Sequence, residues 1–283
     1  MIKMEEFDDE NSKLSLPFYK RKKYVVIGSR VHPGESNSSW MMQGFIKSLL
    51  GNSHQAVQLR KRVVFKVIPM VNPDGVITGN YRTSMSGNDL NRQYHNPNSR
   101  LHPTVCAIKK ICNLLTYGQE PGMRDDIGGE KISNAEDILA FIDMHGHSRK
   151  KNVFIYGPQV PLHSDKYYKM RIIPKLLSEE THKFRYPSCR FKLEKSKLKT
   201  ARIVLWREFA IENCFTFEAS FHGYFDNKNV NYEFTETNYE SMGAHLVNSL
   251  YEYLMILEET DRRKKLKELN KKNRKKKLAE TAK

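Results

Sequence analysis

Three short, nearly continuous apolar runs constrain this chain most. Residues 24–28 (Tyr-Val-Val-Ile-Gly), 63–70 (Val-Val-Phe-Lys-Val-Ile-Pro-Met) and 137–144 (Asp-Ile-Leu-Ala-Phe-Ile-Asp-Met) are rich in strand-forming residues. None approaches the about 18 apolar residues that a membrane span needs. Between them the spacing turns helical: Trp40, Met41, Phe45 and Leu49 lie one or two turns apart ahead of Gly51, and Pro103 opens a helix to about Leu115. A strand apolar on both sides must be covered on both faces. The pattern therefore predicts an α/β fold, a mixed, mostly parallel sheet with helices on both faces.

The remaining stretches fill in that plan. Residues 152–156 read as a fourth strand, 167–179 as a helix interrupted near Pro174, 214–220 as a strand, and 238–257 as the last periodic helix. Residues 52–61 read as a loop, Asn72-Pro73-Asp74-Gly75 as a tight turn, and 117–136 as a surface excursion. Residues 79–100 are so poor in apolar side chains that they form a functional or a disordered loop. The expected organisation is a polar segment at 1–23, one catalytic domain at 24–258 and a basic tail at 259–283.

Charge is uneven. The formal net charge is +16, and residues 262–283 supply +10 of it, twelve Lys or Arg against Glu268 and Glu280. These tail cations are not interleaved with aromatics, so nucleic-acid binding ranks low. Cys106, Cys112, Cys189 and Cys214 show no C-x-x-C spacing, which points to reduced thiols and a cytoplasmic setting, with nuclear as the alternative. No membrane partner is expected.

Polar residues gather where the strands end. His32 and Glu35 follow the first strand, His145 follows the third, and Glu218 lies inside the strand at 214–220. With 10 His and 32 acidic residues in 283 positions, chance supplies about one His-x-x-acid match, so that pair alone is weak. Strand carboxyl ends, however, are where α/β sheets build sites. Two histidines and a glutamate are a catalytic zinc ligand set with one position open, and Glu218 is then the candidate general base. His147 is the alternative to His145, and a merely satisfied core carboxylate is the alternative role for Glu218.

Six blocks in order resemble the zinc carboxypeptidases: His32-Pro33-Gly34-Glu35-Ser36, Asn72-Pro73-Asp74-Gly75-Val76, Gly79-Asn80-Tyr81-Arg82, Asp89-Leu90-Asn91-Arg92-Gln93, His145-Gly146-His147-Ser148-Arg149-Lys150-Lys151-Asn152 and Phe215-Thr216-Phe217-Glu218-Ala219-Ser220. The likeness is strongest to their cytosolic branch, which removes glutamates from tubulin and other acidic tails. The 110-residue interval from Glu35 to His145 agrees, and the similarity covers about residues 24–257.

The resemblance implies one Zn2+ on His32, Glu35 and His145, with Glu218 activating water. It implies Arg82 polarising the scissile carbonyl, Asn91 and Arg92 holding the terminal carboxylate, and a pocket floor at Arg202, with Lys197 second. A basic floor would select acidic side chains. The implied partners are acidic protein C-terminal tails such as those of tubulin. Separately, the charge of the basic tail suggests tethering to an acidic polymer such as a microtubule surface, with a solvated helix extension and a nuclear-import signal as the alternatives. Two departures stand out. No Tyr occurs between Tyr186 and Tyr224, where digestive members carry a mobile one. The first strands and the β-sandwich that precedes the catalytic domain in cytosolic members are also expected to be missing. A zinc-binding scaffold without turnover and a zinc amidohydrolase acting on small acyl-amino acids are the rival readings.

Overall fold

Strand β1 (Lys23–Ser29) shows how the sheet is buried: Val25 and Ile27 enter one apolar core while Val26 enters another. The computed structural model describes residues 18–118 and 135–281, with backbone only at 273 and 275–281. Around β1 stand β2 (Val63–Ile68), β3 (Ile138–His147), β4 (Val153–Gly157), β5 (Arg190–Phe191) and β6 (Cys214–Ser220), in the order β2-β1-β3-β6-β4-β5. β2, β1, β3 and β6 run parallel. β4 is antiparallel to β6, and β5 is parallel to β4. A small hairpin, β7 (Tyr224–Phe225) with β8 (Asn231–Tyr232), lies apart.

Helices α1 (Ser36–Leu50), α5 (Asp165–Glu180) and α7 (Glu236–Thr281) cover the first face through Met41, Phe45, Ile173, Leu246 and Leu250. Helices α4 (Pro103–Tyr117) and α6 (Ala201–Phe209) cover the second through Val105, Ile108, Val204 and Leu205. Two further helices, α2 (His54–Arg62) and α3 (Pro73–Ile77), flank β2 in the chain. Helices α1 and α7 cross at backbone contact. A Cβ at Gly44 would lie 2.0 Å from the Glu240 carbonyl oxygen, and one at Gly243 would lie 2.1 Å from that of Met41. No described helix is long and apolar enough to cross a membrane.

Four local expectations change. The stretch 52–61 is helix α2 rather than a loop; Ser53 caps it, and only Ala56 and Leu59 are buried, too sparse an apolar pattern to reveal a helix. The Asn-Pro-Asp-Gly turn is the first turn of α3, with Pro73 at its start and Asn72 Oδ1 accepting from Gly75 N at 3.0 Å. Helix α5 runs through Pro174 without a break, because buried Met170, Ile173 and Leu177 pin it to the core on either side. Packing here outweighs the cost of an interior proline, about 3 kcal/mol. Helix α7 continues past residue 257 into the basic tail, with i,i+4 pairs Arg263–Glu259 at 2.7 Å and Lys265–Asp261 at 3.2 Å along it. Most of the excursion expected at 117–136, and of the polar segment at 1–23, lies outside the described residues.

Candidate metal centre and substrate cleft

From β1 the chain leaves to β2 on one side while β3 pairs on the other, so the strand order reverses between β1 and β3. A crevice opens at the carboxyl ends of strands at such a point. Arg30, in the left-handed region at φ 58°, turns the chain out of β1. Its Nε donates to the Pro33 carbonyl at 2.6 Å and its Nη1 to Ser39 Oγ at 2.8 Å, which fixes the bend. Gly34 is required at the next step: a Cβ there would sit 2.5 Å from the Tyr81 ring, and Gly34 N donates to the Tyr81 carbonyl at 2.7 Å. That contact seats Arg82 beside the turn. Asn72 Nδ2, donating to the Val31 carbonyl at 3.2 Å, ties α3 to the same turn.

His32, Glu35 and His145 are all buried, and one ligand atom from each lies within 4.8 Å of the others. Glu35 bridges the imidazoles, Oε1 2.6 Å from His32 Nδ1 and Oε2 2.9 Å from His145 Nδ1. Each ring is held from behind by a carboxylate: His32 Nε2 lies 3.1 Å from Asp89 Oδ1, and His145 Nε2 lies 2.7 Å from Asp143 Oδ2. Two Nδ1 atoms facing one carboxylate, with both Nε2 atoms oriented from outside, is the arrangement in which histidines hold a zinc ion. The group therefore fits Zn2+, and Glu218 lines the same cleft.

Electrostatics agree. Burial alone would raise the Glu35 carboxyl, but His145 and His32 reverse this and hold it well below the usual carboxylate range. Burial would lower His145; Asp143 and Glu35 overcome it and push the ring well above its ordinary value. Such concentrated negative charge around two imidazoles suits a cation. Glu218 differs: burial raises its carboxyl to about 7, only partly countered by His145, and its Oε2 is buried with no hydrogen-bond partner.

One cleft of about 490 Å3 contains the rest. Its walls include Arg82, Asn91, Arg92, Arg202 and Glu218 as well as the three metal-site residues. Arg82 reaches Asp89 Oδ2 through Nη2 at 2.8 Å and Nε at 3.0 Å. Asn91 Oδ1 accepts from Ala201 N at 3.0 Å, joining the polar loop to the first turn of α6. Arg202, in that turn, is 6% exposed and offers Nη1 to Thr216 Oγ1 at 3.4 Å.

Every site residue expected from the sequence thus reaches the same cleft. His147 does not join the metal group: its Nδ1 accepts from the backbone N–H groups of Arg149 and Lys150, and its ring packs 5.1 Å from that of Phe154. Lys197 also lines the cleft. Sequence reasoning missed Asp89 and Asp143. Asp143 stands two residues before His145 on one strand, hence on the same face, and this spacing was a usable signal. Asp89 had only its neighbourhood to Asn91.

An α/β sheet carrying this N,N,O group at its switch point, beside a buried glutamate, defines a metallohydrolase of the carboxypeptidase kind. The zinc carboxypeptidase (Peptidase M14) profile matches residues 9–281, and the chain belongs to that family. It is 39% identical over 247 residues to cytosolic carboxypeptidase 1 of Danio rerio, covering 82% of this chain and 20% of that protein. It is 40% identical over 239 residues to cytosolic carboxypeptidase 3 of Bos taurus, covering 83% and 22%. The chain therefore spans about a fifth of the length of these relatives. Among solved structures, a metallo-carboxypeptidase from Burkholderia cenocepacia superposes with a TM-score of 0.68 at 24% identity, over 86% of this chain and 60% of that one. One from Pseudomonas aeruginosa gives 0.66 at 19%, over 83% and 59%. These two support the fold.

Proposed function

We propose that this chain is the catalytic part of a zinc metallocarboxypeptidase that removes glutamate from the C-terminal acidic tails of proteins, tubulin among them. The observation that carries the reading is Arg202: a buried guanidinium that makes no ion pair among the described residues, and on which Glu218 and Glu194 act only through space, lines the same cleft as Glu218 and the metal group. A buried cation without a direct ion pair is costly, and an acidic side chain in the cleft would offset that cost.

Bound Zn2+ would supply Lewis-acid polarisation of the scissile carbonyl and lower the pKa of water. The protein supplies the remainder. Glu218, poised near neutrality and unpartnered at Oε2, takes a proton from the attacking water and returns it to the departing amine. Arg82, braced by Asp89 through Nε and Nη2, keeps Nη1 for the developing negative charge on the carbonyl oxygen. Asn91 and Arg92 hold the α-carboxylate, which restricts cleavage to the chain end. Arg202 takes the side-chain carboxylate. The relatives at about 40% identity carry the name cytosolic carboxypeptidase, which favours a cytoplasmic protein substrate. The decisive experiment incubates the zinc-loaded chain with a peptide ending in three glutamates. Release of free glutamate that stops on chelation and returns with zinc is expected; no release would overturn the reading.

A further inference from the structure

Arg202 makes no ion pair among the described residues, although the charges of Glu218 and Glu194 favour its charged form against the cost of burial. Its Nε has no hydrogen-bond partner, and its Nη1 contact with Thr216 is long. What it does meet is an aromatic ring: the guanidinium carbon lies 5.5 Å from the centre of the Tyr156 ring. Tyr156 stands on β4, paired across the sheet with Thr216 of β6 on one side and Arg190 of β5 on the other. Phe215, Phe217 and Ala219 face the first core, so Thr216 and Glu218 occupy the opposite face of β6. Tyr156 shares that face with Glu218 and extends the cleft floor sideways.

A second cation uses the same ring. Lys150, from the His-Gly-His-Ser-Arg-Lys-Lys block, has its Nζ 5.1 Å from the Tyr156 ring centre and 4.6 Å from that of Phe154. Its remaining contact is with the Ser188 carbonyl at 3.2 Å. Neither Lys150 nor Arg202 has an ion-pair partner among the described residues, although Glu194 lines the cleft with Arg202 and its charge, with that of Glu218, acts on both cations. A cation seated over a ring face keeps its N–H groups for another acceptor, whereas a salt bridge would consume them. We propose that Tyr156 is a positioning residue for the substrate pocket: its ring holds the Arg202 guanidinium in the cleft lining as the receptor for an acidic side chain, while Lys150, which packs on the same ring, stands outside that lining. The inference rests on the acidic-substrate reading given above and identifies the parts that produce it.

The test measures binding, so that turnover does not enter. In a full-length, zinc-loaded Glu218→Gln background, Kd is measured calorimetrically for two pentapeptides that differ only in a terminal Glu or Leu. The readout is the Glu-over-Leu ratio. Arg202→Ala and Tyr156→Ala are each expected to lower it about tenfold. Tyr156→Phe, which keeps the ring, is expected to hold the ratio within about twofold of the background. In Arg202→Ala protein, Tyr156→Ala should lower the ratio further by less than its effect alone. If the background shows no preference for Glu, the acidic-substrate reading fails and takes this inference with it. If Arg202→Ala destroys the preference while Tyr156→Ala keeps it, the reading survives and this inference is overturned. A Phe variant as impaired as Ala also overturns it, since the hydroxyl rather than the ring would then be responsible.

Discussion

Asp89 is shared between His32 and Arg82: Oδ1 lies 3.1 Å from His32 Nε2, and Oδ2 lies 2.8 Å from Arg82 Nη2. One carboxylate thus orients a metal-site imidazole and a substrate-facing guanidinium together. Asp89→Ala should lose on both counts, with zinc affinity falling about 10- to 100-fold, as for other lost outer partners of ligating histidines. Competition with a chromogenic chelator measures that loss. Zinc affinity equal to the parent would show that His32 needs no support from Asp89.

Removing a ligand and removing the base should separate cleanly. His32→Ala should lower zinc from about one ion per chain to near none, and abolish turnover with it. Glu218→Gln should keep the metal while the rate falls by about 100-fold or more. Metal analysis beside initial rates checks both, and full zinc in His32→Ala would remove His32 from the site.

Arg202→Ala should lower kcat/KM for a glutamate-ended peptide by about 10- to 100-fold, yet change a leucine-ended peptide far less. Parallel kinetics on both peptides decide it. An equal loss on both would place the effect in folding or positioning and turn attention to Lys197.

Gly44→Ala tests the helix crossing without approaching the site. The added methyl meets the Glu240 carbonyl at 2.0 Å, so α1 and α7 must separate, at a cost of about 1–3 kcal/mol. The thermal midpoint should drop accordingly while zinc affinity holds. An unchanged midpoint would mean that the crossing adjusts freely.

If the basic stretch of α7 tethers the chain to acidic polymers, its removal has a specific consequence. Deleting residues 262–283 should leave hydrolysis of a short glutamate peptide unaltered but slow the reaction on microtubules, and only at low to moderate salt. Tethering by charge is screened beyond about 8–10 Å at physiological ionic strength. Equal losses on both substrates would instead give the stretch a role in the fold.

Much of this protein was legible in its sequence because short-range chemistry wrote it there. The apolar runs at 24–28 and 137–144 announced doubly covered strands, and they are β1 and β3. His32, Glu35, His145 and Glu218 stood out because a core has no use for charge at strand ends. The Asn-Pro-Asp-Gly block could be placed as a chain reversal, though not as the start of a helix. Tertiary structure decided what depends on partners distant in the chain. Helix α2 was hidden because two buried residues, Ala56 and Leu59, suffice once a neighbouring helix supplies the remaining cover. Pro174 could not break α5, because the core holds that helix from both ends. The pairing of Asp89 with both His32 and Arg82, and of Tyr156 with both Arg202 and Lys150, joins residues up to 57 positions apart in the chain. No periodicity or local propensity encodes such contacts; they exist only after the sheet has brought the loops above β1, β3 and β6 to one place.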